Sequence, residues 1–436
     1  MWPVRKTINT LENTQKPKSV GAGRVRRFFA ELGPGLITGA ADDDPSGIAT
    51  YSVAGAAFGF AQLWTVFFSI PLMIAVQLMC ARLGLVAGEG LAAAIRRRYP
   101  RWVLWGACAL LAVSNTVNIG ADLGGMAAAM EMMTGASALL WLPVFAALIV
   151  VLLIWSSYRH IARVFKWLTL VLFAYVAAAI LAHPRWSEVV GATFLPHLEL
   201  STNYLATFVA ILGTTISPYL FFWQAAQEVE VERAQGRRSA KARRGATEKE
   251  LRAARTDVIT GMAFAGVVMY FIIVATGATL FESGHRDIET ARQAAEALRP
   301  VAGNGAYLLF TVGLLGTGML GVPALAGSAA YAIAEAMHWR GSLDDRPRVA
   351  PKFYGVLAAA VVIGMILNYT GANAVKMLFW AAVVNGALSS PLIVLVTLLT
   401  SDKRVMGECA NSRLLRALGW ITAVVMFVAT VAMFVF

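Results

Sequence analysis

The strongest constraint on this chain is a succession of long apolar runs. Eleven are read along its 436 residues, at 33–58, 61–85, 102–128, 137–156, 163–182, 203–227, 257–281, 305–335, 352–369, 373–400 and 415–436. A run of roughly 20 apolar residues crosses a bilayer as a helix, whereas barrel strands show short alternating segments. With 58% hydrophobic and only 14% charged residues, the composition also falls outside that of soluble domains. An all-α, polytopic membrane protein embedded in the lipid bilayer is expected. The first 30 residues are polar and basic, so no cleaved signal peptide is expected. Cys80, Cys108 and Cys409 lack metal or redox spacing and read as buried, inert thiols.

The net charge of +12 is distributed as a topology signal rather than a nucleic-acid patch. With the N-terminus inside, the tail carries seven basic residues and the loop after span 2 carries Arg96, Arg97 and Arg98. Arg159, Arg163 and Lys166 follow span 4, nine basic residues follow span 6, and four follow each of spans 8 and 10. The opposite loops hold only Arg185, Arg286, Arg292 and Arg299. The bias obeys the positive-inside rule and predicts a cytoplasmic N-terminus and an outer C-terminus. A cell (inner) membrane location follows as an expectation. The basic loop at 228–256 reads as a solvated linker with a short helix, the other reading being contact with anionic head groups. Residues 286–298 read as a short surface helix, and the Gly/Ala-rich span 8 as a packing helix.

Charges inside spans are costly and usually face a cavity or pathway. Span 1 contains "GAADDDPSG" at 39–47, and span 3 contains Asp122. Neighbouring helical residues do not face one another, so Asp42, Asp43 and Asp44 cannot all point into one site. Pro45 has no N–H and frees the carbonyl of Ala41, while Gly47 eases unwinding. In span 6, "TTISPYL" places Pro218 so that it frees the carbonyl of Thr214, with the hydroxyls of Thr215 and Ser217 beside it. Two broken helices five spans apart predict a 5+5 inverted repeat with a substrate site at the midplane. The expected divisions are a tail at 1–32, a first repeat at 33–182, a second at 203–400 and an additional span at 415–436. His160, His183, His197, His285 and His338 all lie at span ends or in loops. An oxygen-only donor set suits hard divalent cations such as Mg²⁺, Ca²⁺ or Mn²⁺, and its negative charge argues against an anionic substrate.

The stretch "GPGLITGAADDDPSGIATYSVAGAAFG" resembles the first span of the NRAMP divalent-metal transporters, and "ISPYLFFWQ" lies where that family carries Met-Pro-His. The likeness runs over essentially all eleven spans. It implies a LeuT-like fold with metal bound between broken helices 1 and 6. Asp44 matches the family's metal-binding aspartate, and Ala41 and Thr214 its carbonyl ligands. The departures are informative. Gly47 stands at the asparagine ligand, Ser217 at the methionine, Tyr219 and Gln224 at two histidines, and Gly125 at the glutamate of the proton route, while Asp122 is kept. Thioether sulfur favours softer metals, and Mg²⁺ usually keeps several waters, so a small, oxygen-lined pair of positions suits Mg²⁺. The pattern is similar to the NRAMP-related magnesium transporter branch.

Asn385 is open between a ligand or water holder and an interhelical hydrogen-bonding role. Asn115 and Asn118 are open in the same way. Asp122, Asp43, Tyr219, Gln224 and Gly47 are expected along the transport path, and Glu228, Glu230 and Glu232 on a solvated face at its mouth. Glu335 is expected to be structural or salt-bridged. The leading expectation is a non-enzymatic transporter without a resident cofactor, carrying Mg²⁺ and Mn²⁺ as substrate without proton coupling. The alternatives are a proton-coupled Mn²⁺/Fe²⁺ symporter and, lower, an amino-acid or other organic-solute permease. The oligomeric state is left open.

Overall fold

A computed structural model describes residues 34–155 and 170–436. The tail at 1–32, the residues Arg159, His160, Arg163 and Lys166, and the start of the fifth run lie outside the described residues. Among the described residues the regular structure is entirely helical. Nine helices among the described residues are long and apolar enough to cross a membrane, from Leu63–Ala87 to Arg413–Val435. The described end of the fifth run, Leu170–Leu181, is followed after a 118° bend by Trp186–Phe194. The first run is two half-helices, Pro34–Asp42 and Pro45–Phe58. The sixth is likewise Thr202–Thr215 and Pro218–Ala234.

Proline alone does not make a break. Pro71, Pro143, Pro323 and Pro391 lie inside uninterrupted helices. At residues 44 and 217 the backbone turns extended (φ −70°, ψ 172° and φ −76°, ψ 134°), and side chains take over the broken bonds. Span 7 starts at Glu248, nine residues before the apolar run, because Thr247 and Glu250 form a capping box. Charged residues in that first turn hid its start. Thr247→Ala is expected to cost about 1 kcal/mol, read as a small drop in melting temperature with transport retained.

Burial separates centre from periphery. The most apolar window of span 6 is 94% buried, against 28% for span 4 and 33% for span 11. Lipid therefore meets spans 4 and 11, and protein surrounds span 6. Small residues set the closest approaches. A Cβ on Gly39 would lie 2.2 Å from the carbonyl oxygen of Gly261 in span 7, and one on Gly213 would lie 2.1 Å from that of Ala382 in span 10. Such contact holds the first half of span 1 against span 7, and the first half of span 6 against span 10.

The loops after spans 2, 6, 8 and 10 meet on one side. Gly245 N–H donates to the Val86 carbonyl at 2.8 Å, Arg98 pairs with Asp402, and the Ser342 hydroxyl donates to Glu230 at 2.7 Å. Arg98 holds the Asp402 carboxyl below the usual carboxylate range. On the opposite side Thr202 donates to the C-terminal Phe436 carbonyl, and Lys376, another basic residue there, pairs with Glu289.

The basic loop is largely exposed, as its charge suggested, and carries the short helix Ala240–Arg243, with one exception. Arg243 is buried and donates to the carbonyls of Gly88 and Arg238, because loop carbonyls at the end of span 2 need donors. Residues 286–298 do contain a short helix, Ala291–Glu296, but it is seated on the protein through buried Ala291, Ala294 and Ala295. Glu335 is structural: it accepts from the Ala93 amide at 3.1 Å, in the first turn of the short helix Leu91–Arg98. Span 8 packs closely as expected, with Gly321 against Asp44 and Gly327 against Trp223.

Candidate functional site

The two breaks lie against each other. A Cβ on Gly47 would sit 3.1 Å from Thr214 Oγ1. Asp44 is the N-cap of the second half of span 1: its Oδ1 accepts from the Gly47 amide at 2.9 Å and from the Ser46 hydroxyl at 2.8 Å. The Ser46 amide donates to Asp122 Oδ1 at 3.2 Å, so two acids share the positive end of one half-helix. Asp44 Oδ2 accepts from Asn118 Nδ2 at 2.9 Å. Asn385 Nδ2 donates in turn to Asn118 Oδ1 at 3.2 Å, and the Ser114 hydroxyl donates to Asn385 Oδ1. A relay of amides thus runs from span 10 through span 3 to Asp44.

Both carbonyls released by the prolines have found hydroxyls. Tyr219 Oη donates to the Ala41 carbonyl at 2.8 Å, and Ser217 Oγ donates to the Thr214 carbonyl at 2.8 Å. Ser217 also reaches the Gly213 carbonyl at 2.8 Å. The two breaks are therefore capped in opposite senses. Asp44 caps the helix that follows it, and Ser217 the helix that precedes it.

The site is dry and acidic. Asp42, Asp43, Asp44 and Asp122 are 2%, 1%, 1% and 0% exposed. No ion pair among the described residues involves any of them. Asp42 Oδ1, Asp43 Oδ2, Asp122 Oδ2 and Thr214 Oγ1 carry no hydrogen bond. Buried negative charge without a basic partner is strongly unfavourable unless a cation or a proton joins it. Among the described residues no three His, Cys, Asp or Glu side chains are arranged to hold a metal. A cation between the breaks would thus rest on one carboxylate with carbonyl, hydroxyl and water oxygens.

The structure brings together Asp44, Ala41, Thr214, Ser217, Tyr219, Gly47 and Asp122, with Asn385 joined through Asn118. Asp43 adjoins them in sequence and keeps one oxygen unpaired. Gln224 lies apart, donating to Glu228 Oε1 at 3.0 Å. Glu228, Glu230 and Glu232 are 4%, 6% and 1% exposed, not a solvated face. The helix beyond Pro218 continues to Ala234 against spans 2 and 8, which cover much of it. Asn118 is the residue whose part sequence left most open. Its signal was spacing, since Asn115, Asn118 and Asp122 form one polar stripe on span 3. On the side away from the basic loops, a cavity of about 820 Å³ opens between the outer ends of the same helices, lined by Val53, Phe58, Thr207, Phe379 and Trp380.

Fold and site define a polytopic membrane protein of the LeuT-like class, with a buried acidic cluster between two broken helices. The sequence pattern of the Nramp family, described as natural resistance-associated macrophage protein-like, matches residues 35–436, and the chain belongs to that family. It is 29% identical over 415 residues to the divalent metal cation transporter MntH of Mesorhizobium japonicum, covering 92% of this chain and 88% of that one. It is 28% identical to the protein of the same name from Deinococcus radiodurans, covering 95% and 91%. Among solved structures it resembles the Eremococcus coleocola manganese transporter, with TM-score 0.75 at 21% identity over 94% of this chain and 87% of that one. The nucleobase-cation-symport-1 transporter Mhp1 in a closed conformation matches with TM-score 0.54 at 18% identity, covering 93% and 92%.

Proposed function

We propose that the chain is a secondary transporter of divalent cations in the cell (inner) membrane, carrying Mg²⁺ and Mn²⁺ by alternating access without proton coupling. The observation that carries this reading is the state of the donors at the breaks. An ionised carboxylate offers about four acceptor positions, and Asp44 already uses three. It has room for one direct bond to a cation. The carbonyls of Ala41 and Thr214 meet hydroxyls rather than open space. A cation held in this way keeps much of its water, which suits Mg²⁺.

Two further features support the finer reading. Ser217 supplies a hydroxyl where a thioether would favour softer metals. At Gly125, where the resemblance expects the proton-route glutamate, a Cβ would lie 2.9 Å from Leu378, so span 10 fills that space. The repeats are proposed to span 33–182 and 203–400, with the N-terminus cytoplasmic, the C-terminus outside, and alternating access as a movement of the helix bundle around the hydrated ion. A proton-coupled Mn²⁺/Fe²⁺ symporter is the second reading, favoured by the retained Asp122. A permease for amino acids fits less well, because Asp44 would repel a substrate carboxylate.

Uptake into proteoliposomes with Mg²⁺, Mn²⁺ and Ca²⁺, beside a lumenal pH dye, separates these readings. Saturable Mg²⁺ and Mn²⁺ uptake at constant lumenal pH is expected. Lumenal acidification that tracks Mn²⁺ entry, with no Mg²⁺ flux, would establish the second reading instead.

A further inference from the structure

We infer a second divalent-cation position at Gln224 and Glu228, on the exit side of the midplane site, approached along the face of span 2 that carries Gln77. It rests on the reading of the chain as a divalent-cation transporter. Glu228 is 4% exposed, and its one hydrogen bond is from Gln224 Nε2 at 3.0 Å. Its neighbours on the same helix are provided with bases. Glu230 pairs with Arg233 at 2.8 Å, and Glu232 with Arg237 at 2.6 Å. Glu228 pairs with none, and the charges that act on it are the acidic Asp257 and Glu232. Asp257 is itself engaged, accepting from the Gly35 amide at 2.6 Å.

The amide beside Glu228 is also incomplete. Gln224 is fully buried, and its Oε1 has no hydrogen-bond partner although its Nε2 rests on the carboxylate. Residues four apart share one helix face, and the bond from Nε2 to Glu228 keeps this unpartnered oxygen within the same side-chain pair as the carboxylate. The side chains there place a carboxylate and an amide oxygen together, without sulfur or imidazole. That chemistry takes a hard divalent cation, with water completing its coordination.

Gln77 marks the approach. It is 1% exposed, and neither its Oε1 nor its Nε2 has a partner. Spans 2 and 6 run in parallel: Trp64 stacks on Phe208 near one end, and a Cβ on Gly84 would meet the Ala225 carbonyl and Glu228 Cβ near the other. Gln77 lies seven residues before Gly84, about two turns up the same face. That interval sets it level with the turn after Pro218, between the broken helices and Gln224. A cation leaving Asp44 towards the basic side passes Gln77 and then meets Glu228.

Mn²⁺ binding to the purified full chain, counted by electron paramagnetic resonance, tests this. Wild type is expected to bind two ions. Asp44→Ala is expected to lose one and keep the other. Glu228→Gln is expected to lose the one that Asp44→Ala keeps, and Gln224→Leu to weaken it at least tenfold, while Glu228→Asp retains it. A single ion in wild type, a count of two in Glu228→Gln, or loss of all Mn²⁺ in Asp44→Asn, which keeps the helix cap, would each overturn the second position. Failure of the transport reading shows separately, as absent Mn²⁺ uptake by wild-type proteoliposomes.

Discussion

Asp44→Asn is expected to abolish divalent-cation uptake while the protein stays folded, whereas Asp44→Ala is expected to abolish uptake and lower the melting temperature as well. The difference lies in what each substitution keeps. Asparagine caps a helix about as well as aspartate, so the bonds from Gly47 and Ser46 survive. Its amide meets Asn118, and the relay through Asn385 accommodates it by flipping each amide. The reversed chain ends on the Ser114 hydroxyl, which accepts as readily as it donates. Alanine removes the cap, worth about 1 kcal/mol, and strands the buried Asn118 amide at a further cost of about 1–3 kcal/mol. Both variants lose the charge that balances the cation, and uptake at least about 100-fold below wild type is expected, since each decade takes about 1.4 kcal/mol. Wild-type flux through Asp44→Asn would place the cation elsewhere.

Tyr219→Phe is expected to shift the protein towards a form open on the basic side. The Tyr219 hydroxyl holds the Ala41 carbonyl, joining the first half of span 1 to the second half of span 6 across the breaks. Phenylalanine keeps the ring and leaves that buried carbonyl without its donor, costing about 1–3 kcal/mol in the closed form. Wherever water reaches Ala41 the cost disappears. The closed form is thus disfavoured by roughly 5- to 150-fold. A cysteine introduced at Ala40, 4% exposed in this structure, reports this through its reaction with a thiol reagent applied from the basic side. A rise of about tenfold in that rate follows from the middle of the range. An unchanged rate would mean that the bond does not hold the two half-helices together.

These residues also show how far the sequence could be read. The spans were legible because an unbroken apolar run has few alternatives to a helix in lipid, where every backbone polar group needs a partner. The breaks were legible because prolines at matching places in spans 1 and 6 each release a carbonyl beside acids or hydroxyls, whereas Pro71, Pro143, Pro323 and Pro391 lack such a match and stay helical. What took the released carbonyls was not legible. Tyr219 is 178 residues from Ala41 along the chain, and nothing local announces that contact. Glu228 misled for the same reason: one acidic helix end looks like another until span 2 covers it. The start of span 7 was lost because a capping box in charged sequence resembles a loop.

By itself the sequence determined a helical membrane protein, the positions of its two broken helices, and an acidic, oxygen-rich centre. Those follow from hydropathy and backbone chemistry, which act over a few residues. The tertiary structure alone decided which groups are already satisfied. Asp44 is capped and clamped by Asn118, the two freed carbonyls lie under hydroxyls, and Glu228 is buried without a base. Hydrogen bonding inside a dry core depends on partners brought from distant spans, and local sequence does not encode that proximity.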